Sequence, residues 1–260
     1  MTGQPPTAEP SGAATGRRAA ILDDATTPIT VGLAEHALRI VGLRAGERFL
    51  EVAAGRGTLG IPAARLGAEV VVIDAATMID LAADSFDVVG SQDGLTRVPD
   101  LRRCLVEMVR VTKPAGRVLI VALGSPAEAE YLDYFRGAMH AVVPRSAGLA
   151  ATPAAWPPLL ADPAALRGAM ADAGLREVSV ETTTCGMRFR SGGHLWDVAT
   201  STIAEGGRLD AELSGDQRSV VRQVLDGMLR ERSAGGSSAV LSIGINVGVG
   251  RKRTAAMTAD

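Results

Sequence analysis

Residues 47–74, ERFLEVAAGRGTLGIPAARLGAEVVVID, contain two apolar runs separated by a glycine-rich turn and a helical segment. The first run, ERFLEV, predicts a strand, and AEVVVID predicts a second strand that is covered on both faces of a sheet. Between them, TLGIPAARLG predicts a helix that ends at Gly67. A strand, a helix and a second strand in this order form the repeating unit of an α/β protein with a parallel sheet.

The same alternation continues on both sides of this unit. An apolar stripe from Ile29 to Val41 predicts a preceding helix, and Gly42 lies where such a helix would end. The following strands are predicted at FDVVGS, RVLIVAL, EVSVETT and AVLSIGINVGVG, with helices at residues 99–112, 163–175, 191–205 and 213–233. We therefore expect an α/β fold with a mostly parallel sheet and helices on both faces.

Length and composition favour one domain, because 260 residues with 47% apolar content are enough for one well-buried core. Residues 1–16 are rich in Pro, Gly, Ala and Thr, which predicts a disordered tail. We expect a single domain over residues 17–253 and a short tail over residues 254–260. Within the domain, residues 125–165 begin as a helix and then become rich in proline, which predicts a lid over one end of the sheet.

Charge and cysteine content limit the choice of partners and compartment. The 27 basic and 29 acidic residues leave a net charge of −2, so we expect no nucleic-acid partner. Cys104 and Cys185 do not make a disulfide framework, which favours a reducing, cytoplasmic location. Apolar runs stay well short of the roughly 20 residues that span a bilayer, so we expect no membrane partner, and we expect no metal.

The glycine turn indicates a cofactor site. Gly55-Arg56-Gly57-Thr58-Leu59-Gly60 matches the pattern G-x-G-x-x-G after a strand, and Asp74 at the end of the next strand can accept hydrogen bonds from ribose hydroxyls. Both a dinucleotide and S-adenosylmethionine fit this pattern. Glu51 favours the second, because a carboxylate repels a pyrophosphate but attracts an ammonium or sulfonium group. A nicotinamide-dependent oxidoreductase is therefore the weaker hypothesis.

Two blocks of sequence carry a family resemblance. FLEVAAGRG and residues 85–123, SFDVVGSQDGLTRVPDLRRCLVEMVRVTKPAGRVLIVAL, resemble the class I S-adenosylmethionine-dependent methyltransferases, and more closely their type 11 group, which is similar to the ubiquinone and menaquinone C-methyltransferases. The resemblance covers roughly residues 40–125. It implies a Rossmann-like methyltransferase fold, S-adenosylmethionine as cofactor, and in-line transfer of its methyl group to a small-molecule acceptor.

The resemblance also implies which residues bind the cofactor. The first motif of the family, an acidic residue followed by small-x-Gly-x-Gly, corresponds here to Glu51, Ala53, Gly55 and Gly57. The acidic ribose ligand corresponds to Asp74, with Ala75 beside it. Other family positions are the aspartate that opens the fourth strand, that strand's exit and the Pro-Gly-Gly turn; they correspond to Asp87, to Ser91, Gln92 and Asp93, and to Pro114-Ala115-Gly116. Of these we expect Ser91 to contact the cofactor.

One family element has no room in this chain. The family has a helix and a third, edge strand after the second strand, but here only AATMIDLAAD, residues 75–84, precedes FDVV. A parallel crossover needs about a dozen or more residues, so we expect the edge strand and its preceding helix to be missing. Residues 70–73 would then keep apolar surface exposed, and the adenine pocket would lose a wall. Segment 17–40 or a second subunit in a homodimer would cover the edge.

This gap supports an alternative, a catalytically impaired homologue that acts as a binding or dimerisation partner. Catalytic residues stay unknown, because methyl transfer depends mainly on holding donor and acceptor in line and needs a base only when the acceptor must lose a proton. Weak candidates for acceptor binding are the aromatic and histidine side chains of the lid and the region after it, Tyr134, His140, Trp156 and His194. Tyr131 and Trp196 are further candidates, with packing inside the protein as the alternative for all of them.

Overall fold

The computed structural model describes residues 32–52, 58–143, 157–202 and 213–254. The strands in these ranges are β1 (Arg48–Val52), β2 (Glu69–Ile73), β3 (Phe86–Gln92), β4 (Thr112–Leu123), β5 (Leu175–Phe189) and β6 (Ala239–Lys252). The helices are α1 (residues 32–41), α2 (Gly60–Arg65), α3 (Leu101–Val111), α4 (Glu130–Val142), α5 (Pro158–Ala161), α6 (Pro163–Asp172), α7 (Gly192–Thr202) and α8 (Gly215–Arg232). Single 3-10 helices lie at Ala75–Asp80, Gly94–Arg97 and Pro126–Glu128.

The six strands form one sheet in the order β2-β1-β3-β4-β6-β5. Strands β2, β1, β3 and β4 are parallel, whereas β6 runs antiparallel to both β4 and β5. The predicted α/β fold with a mostly parallel sheet is confirmed. Because β1, β2 and β3 are parallel, their carboxyl ends meet at one edge of the sheet, which is where ligands bind in open α/β sheets.

The predicted loss of the third strand is confirmed. Strand β2 is the edge of the sheet, and residues 74–85 between β2 and β3 contain only the 3-10 helix Ala75–Asp80. The expected exposure follows, since β2 has no buried residue and Val72 is 49% exposed. Its neighbour β1 is buried at four of its five positions.

Helices cover both faces of the sheet, as expected. On one face, α1, α2, α4, α7 and α8 pack with Phe49, Val88 and Val121 into a first core cluster. On the other face, α3, α5 and α6 pack with Leu50, Val89 and Ile120 into a second cluster, to which Met78 of the first 3-10 helix belongs. No helix within the described ranges is both long and apolar enough to span a membrane.

Helix α1 ends at Gly42, as predicted, and Gly42 has φ +67°, a conformation that glycine adopts without strain. The Arg117 guanidinium of β4 donates hydrogen bonds to the carbonyl oxygens of Val41 (3.2 Å) and Gly42 (2.7 Å) and forms an ion pair with Glu47. These contacts fix the end of α1 at the centre of the sheet and not at β2. Residues 17–31, the rest of the segment expected to cover the β2 edge, lie outside the described residues.

The described parts of the predicted lid pack against the faces of the sheet. Helix α4 buries Tyr131, Leu132 and Phe135 in the first cluster, and α5 buries Leu160 in the second. The Asn246 amide of β6 holds α5 by donating to the carbonyl oxygens of Leu160 (2.9 Å) and Ala161 (3.0 Å). Residues 144–156 lie outside the described residues, so a lid stays a prediction for that segment.

Candidate functional site

The carboxyl edge of the sheet gathers the predicted cofactor residues that the structure describes. Glu51 lies one residue before the end of β1, Asp74 and Ala75 directly follow β2, and Ser91 lies one residue before the end of β3. Register confirms the grouping, because Glu51 lies opposite Val72 on one side and Gly90 on the other. Ala53, Gly55 and Gly57 lie outside the described residues, and their roles stay predictions.

Glu51 is fully buried and fixes the start of α2. Its Oε1 accepts a hydrogen bond from the N–H of Leu59 (2.9 Å), and its Oε2 accepts one from the N–H of Gly60 (2.6 Å). Burial raises the pKa of Glu51 above its usual range, although these backbone N–H groups oppose the shift. The carboxylate thus links the end of β1 to the start of α2. Its predicted attraction to a cationic ligand stays a prediction.

The close contact between the start of α2 and Glu51 requires a glycine at position 60. A Cβ at position 60 would lie 2.8 Å from Glu51 Oε2 and 3.1 Å from Val70 Cγ1, and both atoms are held by their surroundings. The third glycine of the G-x-G-x-x-G pattern therefore permits the close packing of α2 on β1 and β2, which is the role expected of it in a nucleotide-binding turn.

Asp74, at the exit of β2, is much less buried than Glu51. It is exposed and precedes the 3-10 helix Ala75–Asp80, to which its side chain makes no capping hydrogen bond. Asp84, at the far end of the short segment 75–84, lies at the other end of the sheet. There its carboxylate pairs with Lys252 Nζ at 2.7 Å, just before β3 begins.

A cavity of about 290 Å³ adjoins the exit of β2. It lies between the first 3-10 helix and the N-terminal half of α3 and combines apolar walls with a charged rim. Its lining residues are Ala75, Met78, Val98, Pro99, Asp100, Arg103, Cys104 and Glu107. Burial, with Glu107 and Asp100 adding to it, raises the pKa of the Cys104 thiol to about 11, so this cysteine is not an activated nucleophile.

Two polar side chains end β3. The Ser91 hydroxyl is buried and donates a 2.8 Å hydrogen bond to the carbonyl oxygen of Val52, which ties β3 to the last residue of β1. Gln92 is 3% exposed, and neither Oε1 nor Nε2 of its amide has a hydrogen-bond partner. The sequence places Gln92 at the strand exit but assigns it no role. The available signal is a large polar residue that ends an otherwise apolar strand.

Known proteins match this chain over much of its N-terminal half. Residues 26–120 match the family described as a methyltransferase domain. A demethylmenaquinone methyltransferase of Renibacterium salmoninarum is 31% identical over a 179-residue alignment, which covers 56% of this chain and 74% of that protein. The chain belongs to the class I S-adenosylmethionine-dependent methyltransferases.

Two further proteins are similar to this methyltransferase. A demethylmenaquinone methyltransferase of Streptomyces avermitilis is 31% identical over a 140-residue alignment, which covers 45% of this chain and 61% of that protein. Among solved structures, the YcgJ protein of Bacillus subtilis is 13% identical, with a TM-score of 0.49 over 86% of this chain and 98% of that one. The cofactor of the family, S-adenosylmethionine, is therefore the ligand against which the carboxyl edge is judged.

The candidate acceptor residues of the methyltransferase do not form one cluster. Tyr134 is half-buried on α4, and its pKa is raised by burial and by nearby Glu130. His140 is exposed in the last turn of the same helix. His194 lies on α7 against the ring of Phe189, with ring centroids 5.6 Å apart. No hydrogen bond or ring contact within the described part of the chain joins these three side chains, and Trp156 lies outside it.

Tyr131 and Trp196 are core residues, each 1% exposed. Tyr131 packs against Phe189 with ring centroids 5.8 Å apart, and Trp196 packs against Phe135 at 5.5 Å. Both side chains therefore pack inside the protein, which was the alternative to acceptor binding. His194 has a buried Nε2 without a partner, while its Nδ1 accepts a long 3.4 Å hydrogen bond from the N–H of Arg190. Burial and then Arg190 lower the pKa of His194.

Proposed function

We propose that this methyltransferase binds S-adenosylmethionine across the exits of β1 and β2 and transfers the methyl group to a small-molecule acceptor. The observation that carries the proposal is the buried Glu51 carboxylate, which accepts hydrogen bonds from the N–H groups of Leu59 and Gly60 and so holds the start of α2 beside the end of β1. The start of α2 therefore lies at the carboxyl ends of the strands, which is where ligands bind in open α/β sheets.

The residues at the edge fit the parts of the cofactor. The methionyl end, with its ammonium group, would lie near Glu51, Ala53, Gly55 and Gly57, and the exposed Asp74 carboxylate suits the ribose hydroxyls. The cavity beside Ala75 suits the adenine, because it has apolar walls and carboxylates at its rim that can accept from an exocyclic amine. Ser91 supports the edge by its bond to Val52.

The cofactor supplies an electrophilic methyl group on a sulfonium. Its thioether would serve as the leaving group that keeps the electron pair of the carbon–sulfur bond, and an acceptor atom would take the methyl group. The chain contributes position and exclusion of water, since an in-line displacement gains much of its rate from a fixed approach. We name no catalytic base among the residues described.

The proposed acceptor is an oxygenated ring compound. Support comes from the relatives named as demethylmenaquinone methyltransferases, whose substrate is such a ring. The few aromatic residues of the chain, 3% of the total, also favour a mainly aliphatic acceptor region. A cytoplasmic location, inferred from Cys104 and Cys185, remains a prediction, as does the absence of a nucleic-acid partner.

Calorimetric titration with S-adenosylmethionine and S-adenosylhomocysteine tests the proposal, with Asp74→Asn as the variant. We expect binding by the wild type and a loss of about tenfold in affinity for Asp74→Asn, because a charge-assisted hydrogen bond to ribose is removed. The control is Asp216→Asn, a change of the same type on exposed α8. No binding at millimolar ligand would overturn the proposal in favour of the impaired, binding-only homologue.

We further propose that the shortened segment 75–84 weakens the adenosine side of the site. The cavity there is bounded by a 3-10 helix and α3, where the family has a helix, a strand and a loop. Inserting a helix and strand between Met78 and Leu81 is expected to raise the affinity for S-adenosylhomocysteine. An insert of equal length in the loop between β6 and α8, residues 234–238, is the control, and no gain from the first insert alone would contradict the proposal.

A homodimer that covers the free edge of β2 is the last part of the proposal. The edge sequence EVVVI has no Pro or Lys, and within the described ranges β2 pairs only with β1, so its other side carries no paired strand. Light scattering is expected to show a dimer that Val71→Pro converts to a monomer, with Val240→Pro on the far side of the sheet as a comparison. A wild-type monomer would refute this part.

A further inference from the structure

Gln92 presents an uncharged amide at the centre of the carboxyl edge. Side chains alternate along a strand, so Gln92 shares a face with Gly90, at which a Cβ would meet Phe49 and Leu59 of the first cluster. Glu51 lies opposite Gly90, and Val121 of β4 lies opposite Gln92. The amide is therefore one strand closer to β4 than Glu51 is, and one pleat closer to the edge.

This amide is buried and has no partner. Gln92 is 3% exposed, and both Oε1 and Nε2 lack hydrogen bonds. A buried polar group without a partner costs folding free energy, and most such groups in proteins are paired. Neighbouring polar groups show the usual behaviour, since Ser91 bonds to Val52 and Asn246 bonds to Leu160 and Ala161. Gln92 therefore differs from these other buried polar side chains of the sheet, because its amide has no hydrogen-bond partner in the protein.

The chemistry of the amide selects the ligand. It offers two donors on Nε2 and one acceptor on Oε1 and carries no charge, so it matches a neutral hydroxyl or carbonyl oxygen better than an ammonium or a carboxylate. In the proposed function the charged groups of the cofactor lie at the exits of β1 and β2, with its ammonium group near Glu51. The methyl acceptor would then lie on the β4 side of the cofactor, next to Gln92.

We propose that Gln92 binds the ring oxygen of the methyl acceptor and thereby helps to select oxygenated rings. This inference rests on the proposed function, because it assumes that the cofactor occupies the exits of β1 and β2. A site built to hydrogen-bond a substrate oxygen rejects analogues that lack it, since the buried amide is then left unpaired. Gln92 is thus a determinant of specificity in direct contact with the acceptor.

The test compares the wild type with Gln92→Met, which keeps the length of the side chain and removes its hydrogen bonds. The probe is 1,4-naphthoquinol carrying a short prenyl chain, titrated into protein saturated with S-adenosylhomocysteine, with the same prenyl naphthalene lacking both oxygens as a comparison. We expect Gln92→Met to lose about tenfold in affinity for the quinol and to bind the oxygen-free ring no worse than the wild type does. Gln223→Met on the exposed face of α8 is the matched control.

Thermal unfolding gives a readout that needs no ligand. Without ligand, Gln92→Met is expected to unfold at a higher temperature than the wild type, because an unpaired amide is replaced by an apolar group of similar shape. A tenfold loss of S-adenosylhomocysteine affinity in Gln92→Met would overturn the proposal and place the amide at the cofactor. Failure of the wild type with bound S-adenosylhomocysteine to bind the quinol would also overturn it, whereas failure to bind S-adenosylhomocysteine at all would refute the proposed function itself.

Discussion

Strands β1 and β2 lie side by side in one sheet, yet their exits are built very differently. At β1, Glu51 is fully buried and both of its carboxylate oxygens accept hydrogen bonds from the start of α2. At β2, Asp74 is exposed, no residue of the strand is buried, and a 3-10 helix stands where the family has a helix and a third strand. Loss of an edge element therefore weakens its nearest strand and leaves the next one intact.

The functional meaning of the contrast follows from the two ends of the cofactor. The methionyl end would use the intact β1 exit, and the adenosyl end would use the thinner β2 exit. Since the reacting methyl group belongs to the methionyl end, the chain can keep the geometry of transfer while it loses part of the binding energy. Changes at the two exits are expected to separate these contributions.

Replacing Glu51 with alanine is expected to have the largest effect. It leaves the buried N–H groups of Leu59 and Gly60 without an acceptor, and each such group costs about 1–3 kcal/mol. We expect a loss of roughly 3 kcal/mol in the free energy of unfolding and a loss of S-adenosylhomocysteine binding, measured by urea unfolding and calorimetry.

Glu51→Gln refines this prediction. It keeps one acceptor oxygen and removes a charge that burial disfavours, so its cost should be smaller than that of alanine. The raised pKa of Glu51 also has a defined sign. A folded-state pKa above the unfolded value makes ionisation costly, so the wild type should lose stability relative to Glu51→Gln as the pH rises through the window above 4.5. Equal stability of the alanine variant and the wild type would show that the turn is held by other contacts.

A valine pair compares the two strands directly. Val52 ends β1 and is fully buried, whereas Val72 of β2 is 49% exposed. We expect Val52→Ala to cost about 2–3 kcal/mol through lost burial and a cavity, and Val72→Ala to cost less than about 1 kcal/mol. Urea unfolding measures both. A large cost at Val72 would mean that the β2 edge is covered in solution, and its dependence on protein concentration would identify a second copy as the cover.

Particular residues show which elements of the fold could be predicted from the sequence alone. The apolar runs predicted strands β1 to β4, because strands in the interior of a parallel sheet leave a strong local signal. The ten residues after Asp74 predicted the missing strand, since chain length is a hard limit on a crossover. Gly42 predicted the end of α1, because glycine often ends a helix in a left-handed conformation, and the structure has φ +67° there.

The site was less predictable, because its decisive contacts are made between distant residues. Glu51 was identified by its charge, but its binding to the N–H groups of Leu59 and Gly60 depends on how α2 packs on β1. The pairing of Asp84 with Lys252, 168 residues further along the chain, likewise leaves no signal in the local sequence. Gln92 becomes informative only when every neighbour is known, since its lack of a partner is a property of the packed sheet.

The smallest effect on cofactor affinity is expected at the opposite end of the same strands, where Asp87 anchors β3. Its carboxylate accepts hydrogen bonds from the N–H of Arg48 (2.9 Å) and from Lys113 Nζ (2.8 Å). Burial alone would raise the pKa of Asp87, but the bonds from Lys113 and Arg48 outweigh it and hold the pKa below its ordinary value of 3.8. We expect Asp87→Asn to cost roughly 1 kcal/mol at neutral pH and to leave S-adenosylhomocysteine affinity unchanged.

The pH dependence of that variant separates structural anchoring from ligand binding. A folded-state pKa below the unfolded value gives the wild type extra stability above the unfolded pKa, and this stability is lost as the pH falls through the folded value. The difference between wild type and Asp87→Asn in urea unfolding should therefore shrink below about pH 3.8. If Asp87→Asn instead weakened S-adenosylhomocysteine binding as much as Asp74→Asn does, the amino ends of the strands would matter to the site, and the contrast between the β1 and β2 exits would not explain cofactor binding.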